Sequence, residues 1–323
     1  MVSKLNCPIV AVEEHYWDPE LTKYFTGPDA PRGGQIDKWL FDFSDIRLKQ
    51  MDEAGVDVQV LSHGAPSAQR LPADIAVSAT QLVNDRLAKL IATNSKRFAG
   101  FAALPTTASA KEAADELERA VTKLDLKGAM LHGQSNGEFL DLQKFWPIYE
   151  RAEALDVPIY FHPATPDPRV TEAYYEDYAK DFPLVVKPAW GYTVETATQA
   201  IRLVLSGIFE KHAKLKIILG HLGETLPFLS WRIDSSLRRP GGRQIDFRGI
   251  FRRNFWVTTS GFFSDPALLC CTTEMGADRV LFAIDWPFVA DNKPGVEWLL
   301  RTPLTDDDKR KIASGNAKQL LKL

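Results

Sequence analysis

The chain has 323 residues, a formal net charge of −3 at pH 7, 45% hydrophobic and 25% charged residues. A chain of this length folds to roughly 13,000 Å² of surface from roughly 52,000 Å² unfolded, so it can bury an ample core. The composition excludes a disordered chain, a collagen-like fibre and a small disulfide scaffold, and the mixed, weakly acidic charge leaves no electrostatic footprint for nucleic acid or an anionic membrane.

Near the start, the apolar run 7–12 is closed by Glu13, Glu14 and His15. It is too short for a signal peptide or a membrane span, and no other run approaches a span. Cys7, Cys270 and Cys271 make an odd count with two adjacent positions, a poor disulfide framework. A reducing, cytoplasmic setting is the expectation.

Eight short apolar runs follow one another at 9–12, 56–61, 98–104, 128–131, 157–161, 215–219, 255–259 and 280–284. They are continuous rather than alternating, as parallel strands covered on both faces are. Helical patterns lie between them. Leu82, Leu87, Leu90 and Ile91 mark one helix. Ile201, Val204, Leu205, Ile208 and Phe209 repeat at i, i+3, i+4, i+7 and i+8 and mark another. Strands alternating with helices over this length predict an α/β fold, a (β/α)₈ TIM barrel occupying 1–323 as one domain. An open doubly wound sheet is the alternative, but no Gly-rich phosphate loop follows any strand. Segments 16–44 and 163–192, rich in aromatics and Pro, exceed a minimal barrel and read as insertions after strands 1 and 5.

Polar residues at the C-terminal ends of barrel strands build active sites. Four of the six histidines fall at such ends: His15, His132, His162 and His221. His63 lies just past strand 2, and only His212 sits elsewhere. Imidazole and carboxylate are the common ligands of Zn²⁺ and similar ions. Glu13 and His15, two apart on a strand, face one side while Glu14 points away. With His162 and Asp285 they make a four-ligand set that leaves open positions for substrate. In Gly220-His221-Leu222-Gly223-Glu224, Glu224 is spaced to orient His221, which is expected to act as an acid or base beside the metal, with a role as fifth ligand the alternative.

These residues carry a resemblance. Val12-Glu13-Glu14-His15, Tyr160-Phe161-His162-Pro163, Ile217-Ile218-Leu219-Gly220-His221-Leu222-Gly223-Glu224, Thr258-Thr259-Ser260-Gly261 and Ile284-Asp285-Trp286-Pro287 resemble the metal-dependent decarboxylase branch of the amidohydrolase superfamily. That branch includes the γ-resorcylate, 2,3-dihydroxybenzoate, 5-carboxyvanillate and aminocarboxymuconate-semialdehyde decarboxylases. The resemblance spans nearly the whole chain. Typical hydrolases of the superfamily carry His-x-His on the first strand, whereas Glu13-x-His15 is similar to the γ-resorcylate type. No lysine stands at the strand-4 end to bridge two metals, so one ion is implied, Zn²⁺ or alternatively Mn²⁺. His132 departs from the Asn that hydroxybenzoate decarboxylases tend to have there.

The resemblance implies a carboxy-lyase acting on an ortho-hydroxylated aromatic carboxylate by ring-carbon protonation followed by CO₂ loss. Asp285 is the expected proton donor, with His221 and Glu224 relaying to it. Arg232, His63, His132, Trp190 and Phe288 are candidate substrate contacts, and a homodimer or homotetramer is implied. The alternatives are a metal-dependent lactone or amide hydrolase, a hydratase, and a non-catalytic metal-binding barrel.

Overall fold

The structure, a computed structural model, describes residues 5–31, 33–43, 45–289 and 292–323, so positions 32 and 44 of the first long segment lie outside the described residues. Each of the eight apolar runs overlaps a strand: β1 Val10–Tyr16, β2 Val58–His63, β3 Phe98–Gly100, β4 Ala129–His132, β5 Ile159–His162, β6 Ile217–Leu219, β7 Phe255–Thr258 and β8 Val280–Leu281. They form two parallel sheets, ordered β1-β2-β3 and β4-β5-β6-β7-β8. Parallel neighbours require crossovers, and helices between successive strands supply them. Backbone hydrogen bonds connect the two sheets at both seams. Val12 N donates to Phe282 O (3.1 Å) and Asp285 N to Glu13 O (3.0 Å) on one side, and Met130 N to Ala102 O (3.0 Å) on the other.

The core divides by the two faces of the strands. Val10, Val12, Val60, Met130, Tyr160, Ile218 and Leu281 form an inner cluster, joined by Leu320 and Leu321 of the last helix. Their sequence neighbours, such as Ala11, Ile159, Phe161, Ile217 and Leu219, pack outward against the helices. This period-2 partition is what continuous apolar strands achieve when both faces are covered.

Two helical expectations need correction. Leu82 is 40% exposed, while the buried face of helix Ala73–Thr93 carries Ala76, Ala79, Val83 and Leu87. Five residues from Leu87, Leu82 lies about 140° around the helix. The apolar stripe from Ile201 to Phe209 is not one helix. Helix Gly191–Ser206 ends at Gly207, whose φ is +88°, and Ile208–Lys211 starts afresh. Glycine enters this left-handed conformation without a Cβ penalty.

The ends of β1, β4 and β5 and the residues after β6 and β8 converge on one side of the sheets. Segments 16–44 and 163–192 leave the chain from that same side. They carry helices Pro19–Thr22, Gln35–Leu40 and Pro168–Ala179.

Candidate metal centre

The inward position of Glu13 is not what the alternation of Val10 and Val12 dictates. Continued evenly, that alternation would turn Glu14 inward. Register between β1 and β2 slips between Ala11 and Glu14, where Ala11 pairs with Gln59 but Glu14 pairs with Leu61. One extra residue exchanges the faces. Glu13 and His15 therefore point inward, and Glu14 accepts from the backbone N–H of Ile284 (2.9 Å) and Trp286 (3.2 Å). His162 keeps the inward phase of Tyr160, two residues before it.

Glu13, His15, His162 and Asp285 are all buried and offer one ligand atom each, all within 4.8 Å of one another. His162 Nε2 lies 3.2 Å from Glu13 Oε1, and His15 Nε2 lies 3.2 Å from Asp285 Oδ1. Glu13 Oε1, His15 Nε2 and Asp285 Oδ1 have no hydrogen-bond partner. Buried polar atoms are seldom left so. Three converging at one point fit a divalent cation, which carboxylate and imidazole suit. Burial pushes the Glu13 carboxyl up, but the imidazoles of His15, His162 and His221 around it outweigh that and hold it well below the usual range. Burial acts to lower the His15 pKa, yet Asp285 and Glu13 drive it up to about 9. The cluster thus favours positive charge at its centre.

The other ends of these side chains are fixed. Glu13 Oε2 accepts from Tyr160 Oη, Ser260 Oγ and Thr258 Oγ1. A Cβ on Gly220 would stand 3.1 Å from Glu13 Oε2 and 3.4 Å from Tyr160 Oη, so glycine there leaves room for this contact. His15 Nδ1 meets Ser62 Oγ at 3.2 Å. His162 Nδ1 lies 2.7 Å from Pro163 O. A carbonyl only accepts, so Nδ1 carries the proton and Nε2 keeps its lone pair for a metal.

Beside the cluster, His221 Nδ1 is 2.9 Å from Glu224 Oε1, and His221 Nε2 is 3.6 Å from Asp285 Oδ2. Burial would discharge the ring, but Glu224 and Asp285 outweigh it and hold its pKa well above the usual value. Every residue from His221 to Thr225 has positive φ, as do Ser260 and Asp285. Such conformations cost about 1–3 kcal/mol each for non-glycine residues and cluster at functional sites.

Two cavities meet at this point, and His221, Asp285, Tyr192 and Pro188 line both. One, of about 390 Å³, also takes in Trp190, Glu224 and Phe262. The other, of about 410 Å³, takes in His162, Trp17, Ile36, Leu184 and Phe288. The Phe288 ring lies 5.6 Å from that of His15.

The remaining candidate contacts line neither cavity. His63 is buried, its Nε2 accepting from Asp18 N and its Nδ1 donating to Gly64 O, both at 3.0 Å. Burial lowers its pKa to about 4. With both ring nitrogens used by backbone, it holds the chain at the start of the first long segment. His132 is buried against His162, Nδ1 to Nδ1 at 3.0 Å. Arg232 is exposed on helix Leu226–Ser236 and lines neither cavity. Trp286, which follows Asp285, is fully buried, its ring 3.9 Å from the Arg47 guanidinium and its Nε1 donating to Gln50.

Residues 11–323 match the amidohydrolase family. The chain belongs to that family. It is 38% identical to the γ-resorcylate decarboxylase of Polaromonas sp. (strain JS666) over 97% of this chain and 98% of that one. Among solved structures it resembles a dihydroxybenzoic acid decarboxylase from the same organism, with bound manganese and the inhibitor 2-nitroresorcinol. That TM-score is 0.88, with 37% identity over 98% and 97% of the two chains. It also resembles the 5-carboxyvanillate decarboxylase of Sphingomonas paucimobilis, with TM-score 0.89 and 30% identity over 98% and 100%. The chain therefore falls in the metal-dependent decarboxylase branch of the amidohydrolases, and it is a carboxy-lyase. Among its described residues no helix is long and apolar enough to cross a membrane.

Proposed function

We propose that the chain decarboxylates an ortho-hydroxylated benzoate without redox chemistry, its eight strands closing into one (β/α)₈ barrel that spans 1–323 as a single domain with insertions after β1 and β5. The observation that carries this reading is the meeting of three unpartnered buried ligand atoms with the Glu224–His221–Asp285 chain at the junction of two cavities.

Glu13, His15, His162 and Asp285 would hold one divalent ion. Bound there, the ion supplies a Lewis-acidic anchor for the carboxylate and the ortho oxygen. Two carboxylates and two imidazoles suit Zn²⁺ as well as Mn²⁺, and the manganese in the similar Polaromonas structure supports Mn²⁺.

Direct loss of CO₂ would leave an aryl anion. Protonating the carboxylate-bearing ring carbon first avoids it. Asp285, which faces the cavities, donates that proton, the C–C bond then breaks, and its electron pair restores the aromatic ring. One proton enters the arene and one CO₂ leaves. His221, kept charged by Glu224, resupplies Asp285 across the 3.6 Å gap. Trp190 and Phe288 would wall the ring.

A hydrolase would need a carbonyl substrate and water, and its product would keep the carbon count. The test is CO₂ release and the ultraviolet spectrum on salicylate, 2,3- and 2,6-dihydroxybenzoate and 5-carboxyvanillate, with Mn²⁺ or Zn²⁺ and a chelator control. Chelator-sensitive CO₂ release is the expected result, and silence across the panel with metal bound would sink the proposal. Exposed Tyr174, Tyr178 and Phe182 on the second long segment support a homodimer or homotetramer, and the cysteine pattern supports a cytoplasmic setting. Sedimentation analysis tests the former.

A further inference from the structure

Each of the four ligand residues turns one polar atom toward the cluster and has the other occupied. His162 Nδ1 meets Pro163 O, His15 Nδ1 meets Ser62 Oγ, and Asp285 Oδ2 faces His221. Glu13 carries this division furthest. Its Oε1 has no hydrogen-bond partner and stands 3.2 Å from His162 Nε2, whereas three hydroxyls surround its Oε2. Tyr160 comes from β5, Thr258 ends β7 and Ser260 follows it. All three are buried.

A hydroxyl has one proton to give. Tyr160 and Ser260 give theirs to Glu13 Oε2. Thr258 Oγ1 stands 3.3 Å from the same oxygen and 2.7 Å from Tyr160 Oη. The last torsion of a glutamate is soft, and a carboxylate can meet a cation through one oxygen or two. A buried carboxylate that only needed satisfying would share its donors between both oxygens. In Glu13 every hydroxyl falls on the oxygen turned from the cluster. An ion that takes six ligands, as Mn²⁺ does, then finds four atoms in the protein and keeps two positions for a chelating substrate.

We infer that Tyr160, Thr258 and Ser260 are positioning residues that restrict Glu13 to a single metal-binding oxygen, and so keep open the position that the ortho oxygen of the substrate takes. The inference rests on the one-metal decarboxylase reading and deepens it. Without its hydroxyl donors, Oε2 is a buried acceptor left unsatisfied, and the ion is the partner within reach. Glu13 then grips the ion with both oxygens and competes with the substrate for it. Hydroxyls that served only to keep Glu13 in place would act the other way, since their loss would loosen the ligand and weaken metal binding.

The experiment compares the Mn²⁺-loaded full chain with its Tyr160→Phe and Ser260→Ala variants. Tyr160→Phe removes one oxygen and keeps the ring against Phe101, 5.9 Å away between centroids. Ser260→Ala tests the same carboxylate oxygen from the β7 side. Competition with a metal-binding dye reads Mn²⁺ affinity, and water-proton relaxation reads solvent access to the bound ion. Each variant should bind Mn²⁺ at least as tightly as wild type, while the relaxation enhancement per bound ion falls toward about half as one of two open positions closes. Salicylate, titrated on the same signal, should bind the variants about 10- to 100-fold more weakly than wild type, the strength of a hydrogen bond to a charged group. Unchanged relaxation in both variants, undiminished salicylate binding, or Mn²⁺ affinity lost by about tenfold or more with wild-type relaxation of the ion still bound would overturn the inference. These readouts need no turnover. Wild type that shows the expected pattern and releases no CO₂ from any hydroxybenzoate would overturn the decarboxylase reading alone, and wild type that binds no Mn²⁺ would overturn both.

Discussion

Asp285 sits where two demands meet. One oxygen faces the ligand cluster and the other faces His221. Asp285→Asn keeps the shape and one ligand oxygen but removes the acidic proton. Turnover should fall by about 10²–10⁴-fold while the bound-substrate spectrum persists. Undiminished kcat would remove Asp285 from the proton path. His132 makes a different argument. It touches neither cavity, but its Nδ1 lies against His162 Nδ1, behind the nitrogen that faces the cluster. Partners behind a ligand histidine set ring orientation and basicity. His132→Ala should weaken Mn²⁺ binding by about 10- to 100-fold, seen in a competition titration with a metal-binding dye. Affinity equal to wild type would show that Pro163 O alone orients His162. At this scale the sequence was partly readable. Tyr160 stands two residues before His162, so its inward face could have been named, although its grip on Glu13 could not. The burial of His132 and His63 was not legible, because histidines ending strands look alike until the loops beyond them are placed.

The eight strands could be read from sequence because parallel strands buried on both faces leave unbroken apolar runs. The β1 irregularity could not, since Ala11 to Glu14 carry no Gly or Pro to mark it, yet it decides which acidic residue faces the cluster. The left-handed run from His221 to Thr225 was equally hidden. Gly220 and Gly223 indicate a turn, but nothing indicates that His221, Leu222, Glu224 and Thr225 share positive φ. This run aims His221 at Asp285 and sets Glu224 behind it, so its strain is built into the site. Thr225 ends the run at φ +66°, is exposed and is β-branched. Relief of that strain exceeds the entropy glycine adds to the unfolded chain. Thr225→Gly should therefore stabilise the protein by about 1 kcal/mol in urea unfolding. Destabilisation of that size would mean that contacts of the threonine outweigh its backbone strain.

For the whole molecule, the metal site couples folding to pH. In the metal-free protein His15 is held up to about 9 by Asp285 and Glu13 against burial, whereas the unfolded ring titrates near ~6.5. A group raised on folding contributes stability that is fully present below its unfolded pKa and lost as pH rises through its folded one. The metal-free protein therefore loses this contribution between about pH 6.5 and 9, on the order of 3 kcal/mol at most. A bound ion takes the place of the proton, so the loaded protein does not lose it. Other groups also titrate. His63, lowered to about 4 by burial, costs stability as pH falls below ~6.5, and Glu14, raised by burial to about 8, costs stability as pH rises toward that value. Both feel the charge of His15, and a bound ion keeps positive charge where the protonated ring had it, so their contributions change little between the two states. At saturating Mn²⁺ the gap in Tm between loaded and chelated protein should widen steadily from pH 6.5 to 9. Differential scanning calorimetry at fixed free metal measures it. A flat or narrowing gap would show that no proton on His15 is exchanged for the ion.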